Sequence, residues 1–195
     1  MNRIFKRKLY DRLLQWKNTR KGETAILVEG ARRVGKSTLV KEFAQKEYES
    51  YILIDFNKAS KRVVSLFDDL MDLDFIFLQL QAIYNVSLVA RKSAIIFDEV
   101  QLFPAARQAI KFLVQDGRYD YIETGSLISI RKNVKDIVIP SEEEKMILHP
   151  LDYEEFKWAL GDTTTIAQMR MIFEKRLSMG DAVTRKLMRD FRLYM

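Results

Sequence analysis

Residues 24–43 read TAILVEGARRVGKSTLVKEF. The first six, TAILVE, form a short run rich in Ile, Leu and Val, as a strand covered on both faces requires. The next eight, GARRVGKS at 30–37, fit the pattern G-x-x-x-x-G-K-[ST]. Leu39, Val40, Phe43 and Ala44 then recur at helical spacing. The stretch predicts a strand, a tight loop and a helix running to about residue 48. Gly30 and Gly35 let the backbone turn sharply and approach a ligand closely. Backbone N–H groups of the loop and first helical turn, from Gly30 through Ala31, Arg32, Arg33, Val34 and Gly35 to Lys36, Ser37 and Thr38, converge on an anion, and the helix dipole adds to the attraction. Lys36 supplies a mobile positive charge for β- and γ-phosphates, and the Ser37 hydroxyl is a hard oxygen suited to Mg2+. The pattern alone also describes a glycine-rich surface loop with a solvated lysine; the flanking strand and helix favour the phosphate site.

A second stretch supports that reading. Residues 93–100 are SAIIFDEV, in which four apolar residues are followed at once by two carboxylates. A strand buried on both faces that ends in Asp98 and Glu99 presents them at the carboxyl edge of a parallel sheet, the edge at which a phosphate loop also sits. There Asp98 suits the surroundings of the Mg2+ held by Ser37. Glu99 suits orientation and deprotonation of a water attacking the γ-phosphate.

The whole chain sets the frame. Its 195 residues, 48% hydrophobic and 31% charged, describe a globular protein of one domain with room for a small appendage. No apolar run approaches the roughly 18 residues of a membrane span. The basic N-terminus lacks the apolar core of a secretory signal. The absence of cysteine excludes disulfides and thiolate metal sites and is compatible with a cytoplasmic location. A net charge of +6, concentrated at 3–21 and 170–192, allows a nucleic-acid partner, although no recognition motif accompanies it.

Taken in order, residues 6–16 read as a helix and 50–56 as a second strand. Asp55 near the end of that strand is either a ligand-facing residue or a turn cap. Residues 58–81 are helical with breaks, and Asp68, Asp69, Asp72 and Asp74 read as a solvated helix junction rather than a metal site. Pro104 opens a helix. Residues 119–125 form a fourth strand ending in Thr124, Gly125 and Ser126. Ser126 is either a γ-phosphate hydrogen-bond partner or a helix N-cap, and 127–132 are a short helix or turn. Residues 144–150 are a fifth strand, whose His149 reads as structural. Helices follow at 152–160, 166–178 and 182–194. The last stops without a capping glycine or polar tail, which predicts a chain cut short.

With GARRVGKS, AIIFDEVQ, the ETGS strand end and HPLDYEEFKWAL in view, the chain resembles AAA-type P-loop ATP-binding proteins of bacteria and archaea, over nearly its whole length. In that family an ATPase domain precedes a poorly characterised C-terminal domain. The resemblance implies an α/β fold, a three-layer α/β/α sandwich on a mostly parallel five-stranded sheet of order 5-1-4-3-2. It implies an ATPase domain over 1–160 and the start of a further helical region at 161–195. It also implies ATP and Mg2+ as cofactors, Thr124 as a polar sensor, and Arg131 as an arginine finger reaching a neighbouring subunit of a homo-oligomer, with Arg107 and Arg118 as alternatives.

The leading expectation is therefore a Mg2+-dependent ATPase coupled to a conformational switch. A GTPase is disfavoured, because 133–136 read NVKD instead of Asn-Lys-x-Asp. A small-molecule phosphotransferase needs no water-activating glutamate, whereas Glu99 is present. A nucleotide-dependent binding module or scaffold with little turnover needs the same pocket and stays open, as does the identity of a nucleic-acid or protein partner.

Overall fold

The computed structural model describes residues 4–126 and 141–195. Five described strands, β1 (Ala25–Gly30), β2 (Ser50–Asp55), β3 (Ser93–Asp98), β4 (Asp120–Ser126) and β5 (Glu143–Leu148), form one sheet in the order β2-β3-β4-β1-β5. Every pairing in it is parallel. The implied order 5-1-4-3-2 is this order read from the other edge. Because the strands are parallel, both faces need cover, and alternate residues supply it. Leu27, Ile52, Ile54, Ile95, Phe97 and Tyr121 lie in one core. Ile26, Val28, Ala94, Ile96 and Ile122 lie in the other.

Helices α1 (Lys8–Arg20) and α2 (Lys36–Glu47) close the second core, through Leu9, Leu13 and Trp16 and through Leu39, Val40, Phe43 and Ala44. Helix α1 extends past the expected end at residue 16, since Lys17 and Arg20 in its last turn suit the negative end of the helix dipole. The first core is covered by α3 (Lys61–Ser65), α4 (Leu73–Tyr84) and α5 (Pro104–Asp116). The break between α3 and α4 falls within the acidic stretch. Asp69 accepts from the Met71 N–H at 2.9 Å, and Asp72 caps α4 by accepting from the Phe75 N–H at 2.8 Å. These aspartates serve the backbone, as a solvated helix junction should.

By its contacts the chain groups into two compact units, Leu9–His149 and a second made of Met1–Lys8 with Pro150–Met195. The second unit contains α6 (Tyr153–Ala159), α7 (Thr165–Glu174) and α8 (Gly180–Tyr194). Helix α6 starts with a capping box in which Asp152 and Glu155 each accept from the other's backbone N–H, at 2.8 and 3.2 Å. Buried Lys157 of α6 donates to Asp190 of α8 at 2.6 Å and pairs with Asp162 at 2.8 Å. No described helix is long and apolar enough to cross a membrane.

Candidate active site at the carboxyl edge of the sheet

Strands β1, β3 and β4 are neighbours or next neighbours in a parallel sheet, so their carboxyl ends open on one edge. The loop after β1 turns there into α2. Gly35, the N-cap of α2, has φ 95°, and Arg33 within the loop has φ 65°. Gly30 is held to glycine by a neighbour instead of by φ: a Cβ on it would stand 2.3 Å from the backbone oxygen of Leu148 in β5.

Lys36 is buried and folds back over the loop, donating to the carbonyls of Ala31 at 2.9 Å and Gly30 at 3.2 Å. Burial pushes its pKa below the usual 10.5, while Glu99 and then Asp98 draw it back up and Arg32 opposes them. The ammonium thus lies in the field of both carboxylates. Ser37 Oγ donates to Asp98 Oδ1 at 2.7 Å, and the Thr124 hydroxyl donates to the same oxygen. Thr124 Oγ1 in turn accepts from the Glu99 N–H at 3.1 Å. Glu99 itself is left-handed, with φ 58° and ψ 45°, at the start of the 3-10 turn Val100–Leu102. That conformation is costly for a non-glycine residue and is concentrated at functional sites.

The constellation expected from sequence therefore comes together: Lys36, Ser37, Asp98, Glu99 and Thr124 share one edge. Ala31, Arg32, Arg33 and Thr38 of the loop are exposed, and Val34 and Gly35 are half-buried. Ser37 Oγ and the Asp98 carboxylate are hard oxygens in contact, the donor set that Mg2+ uses when phosphates and waters complete its shell. No group of three or more His, Asp or Glu residues able to hold a metal by itself exists among the described residues.

Asp55 ends β2 beside Asp98 on the same carboxyl edge, and the remaining candidates lie elsewhere. Asp55 accepts from the Asn57 N–H at 2.9 Å and so takes the turn-cap alternative. His149 is exposed after β5. Arg107 is buried and engages Glu143 through two hydrogen bonds of 2.8 Å, which removes it as a finger for a neighbouring subunit. Arg118 pairs with Asp116 and Asp74 ahead of β4, at the sheet edge opposite the phosphate loop. Arg131, like the short helix or turn expected at 127–132, lies outside the described residues.

One site residue went unnoticed in the sequence. Gln101, 7% exposed, donates to a Glu99 carboxylate oxygen and accepts from the Ser126 N–H at 3.3 Å. An amide two residues after a glutamate carries no periodicity, so the only signal was its place in the string DEVQ.

Among solved structures, that of C. elegans PCH-2 is similar at TM-score 0.40 and 15% identity, over 85% of this chain and 44% of that one. The chain thus spans less than half the length of that relative. No curated protein matches it. The sequence model of a family described as AAA domain matches residues 22–157, from the turn before β1 into α6. With most of its length matched, and with a five-stranded parallel sheet carrying the phosphate loop between β1 and α2, the chain belongs to the AAA domain family, whose function is of the ATPase, nucleotide-binding type.

Proposed function

We propose that this protein hydrolyses ATP in a Mg2+-dependent reaction and uses the cycle to switch conformation. The observation that carries the reading is the shared Asp98 oxygen. It accepts from Ser37 of the phosphate loop and from Thr124 of β4, and Glu99 follows it directly. Loop N–H groups and Lys36 bind the phosphates, and Lys36 exchanges its bonds to the Gly30 and Ala31 carbonyls for phosphate oxygens. Ser37 and Asp98 would hold Mg2+, which when bound would neutralise charge on the phosphate oxygens. Glu99 orients a water and takes its proton as that water attacks the γ-phosphorus. Thr124 fixes Asp98 by its hydroxyl and the Glu99 backbone by its oxygen. Arg131 acts in trans in a homo-oligomer, and the basic ends at 3–21 and 170–192 meet a nucleic-acid or protein partner.

Phosphate release with Mg2+ and ATP tests this, alone and with added DNA or RNA. Release that EDTA abolishes supports the reading, and stimulation by one nucleic acid names the partner class. ATP binding without release under every condition replaces it with a nucleotide-dependent scaffold.

A further inference from the structure

The side chain of Glu99 is held as deliberately as its backbone. Gln101 lies two residues on, in the 3-10 turn Val100–Leu102, and is buried. Its amide nitrogen donates to Glu99 Oε2, and its amide oxygen accepts from the Ser126 N–H at 3.3 Å. The two ends of one amide are thus committed in opposite senses, which fixes the orientation of the group. Strand β4 consequently holds Glu99 at two points. Thr124 Oγ1 accepts from its backbone N–H, and Ser126, two residues later, anchors the amide that grips its carboxylate.

We infer that Gln101 is the positioning residue of Glu99, holding one carboxylate oxygen so that the other, Oε1, faces the phosphate site. The inference rests on the ATPase reading. Three observations support it. Glu99 directly follows Asp98, whose Oδ1 accepts from Ser37 of the phosphate loop at 2.7 Å, so the tethered residue stands at the phosphate site. The tether occupies Oε2 and leaves Oε1 to take a water proton. The left-handed backbone at Glu99, φ 58°, needs outside restraint to persist; its N–H donates to Thr124 Oγ1 and its carboxylate accepts from Gln101, which provide it. A base that must meet its water within hydrogen-bond reach gains from such restraint, since a misplacement of about 1 Å costs on the order of a hundredfold in rate.

The experiment compares the parent with Gln101→Ala, Gln101→Glu and Glu99→Gln in steady-state ATP hydrolysis, with ATP affinity measured separately. Gln101→Ala should lower kcat by about tenfold to a hundredfold and leave KM and affinity within about twofold. In the Glu99→Gln background the same substitution should cost nothing further. Gln101→Glu keeps the shape and the acceptor for Ser126 but sets a second carboxylate against Glu99. The acid limb of its kcat–pH profile should move up by about one unit, as a like charge raises a carboxylate pKa. That shift decides the matter if Gln101→Ala does not fold. A parent that hydrolyses ATP while Gln101→Ala matches its kcat overturns this inference and leaves the ATPase reading intact. An equal loss in the Glu99→Gln background, or an unmoved acid limb, overturns it as well. A parent without hydrolysis overturns both.

Discussion

Ser37 Oγ stands 2.7 Å from Asp98 Oδ1, across 61 residues of sequence. The contact ties the first turn of α2 to the end of β3 and makes the phosphate loop and the acidic strand end one device. A hydroxyl can donate one proton while its lone pairs face a cation. Ser37 can therefore keep Asp98 and still serve as a Mg2+ ligand.

From this contact the adjacent carboxylates should separate by function. Glu99→Gln keeps size and hydrogen bonding but removes the proposed base, so ATP binding should persist while turnover should fall by about a hundredfold or more. Asp98→Asn disturbs the oxygen that both Ser37 and Thr124 use, so binding with Mg2+ and turnover fall together. Calorimetry and phosphate release on the two variants check the contrast, and equal behaviour refutes the division of roles.

Lys36→Ala removes the one buried cation of the loop. Affinity for ATP should drop by about tenfold to a hundredfold, the worth of a charge-assisted hydrogen bond. Because burial holds the Lys36 pKa below 10.5, the parent's affinity should also decline on the alkaline side before an ordinary lysine deprotonates. Unchanged affinity in the variant places the phosphates elsewhere.

Much of this arrangement was legible because it is local. Apolar runs ending in GARRVGKS and in DE specify buried strands with functional carboxyl ends, and β1 and β3 lie within a residue or two of where their patterns place them. The strand order came from resemblance, as no pattern in 93–98 says which strand lies beside it. What stayed hidden depends on pairings far apart in sequence. Arg107 looked like any arginine on an amphipathic helix, yet it is buried against Glu143, 36 residues on. Gln101 stayed hidden because its role is set by the Ser126 N–H of another strand.

Gly30→Ala should act through β5. The added methyl would lie 2.3 Å from the Leu148 carbonyl oxygen, a backbone atom that cannot rotate away. Separating β1 from β5 should cost about 1–3 kcal/mol, lowering Tm by about 2–4 °C per kcal/mol in a protein of this size. ATP affinity should fall too, because the loop begins at this residue. A Tm equal to the parent's would show that the sheet edge yields freely.

The ion triad of the second unit predicts its acid behaviour. Burial works against Asp162, but hydrogen bonds from Lys157 and Thr165 hold it well below the usual carboxylate value, and Lys157 likewise lowers Asp190. Burial also opposes Lys157, and the two aspartates still raise it above 10.5. The aspartates' contribution is full above about pH 4 and fades as pH falls through their depressed values; that of Lys157 is full below 10.5 and is lost as pH rises through its raised value. Lys157→Met should cost about 2–3 kcal/mol, less than a fully buried pair because Asp162 is 18% exposed. Its stability should also vary less than the parent's between pH 5 and pH 2, followed by circular dichroism.

Glu123 gives the opposite sign. It lies wholly buried in β4, where its carboxyl group meets that of Glu143. Burial, and then the neighbouring Glu143, push it well above the usual 4.5, with Arg107 and Lys145 opposing. Glu143 is held by Arg107 in two hydrogen bonds of 2.8 Å, so the proton of the pair belongs on Glu123. Between 4.5 and that raised value the folded chain keeps a proton that the unfolded chain has lost, and stability falls as pH rises. Glu123→Gln has the shape of the protonated acid and nothing to lose. Its stability relative to the parent should therefore grow as pH rises above 5, by up to about 1.4 kcal/mol per unit until the raised value is passed. Thermal unfolding of both proteins across that range reads the difference directly. Parallel profiles would mean that Glu123 is ionised in the folded protein, with Arg107 neutralising both glutamates instead of one.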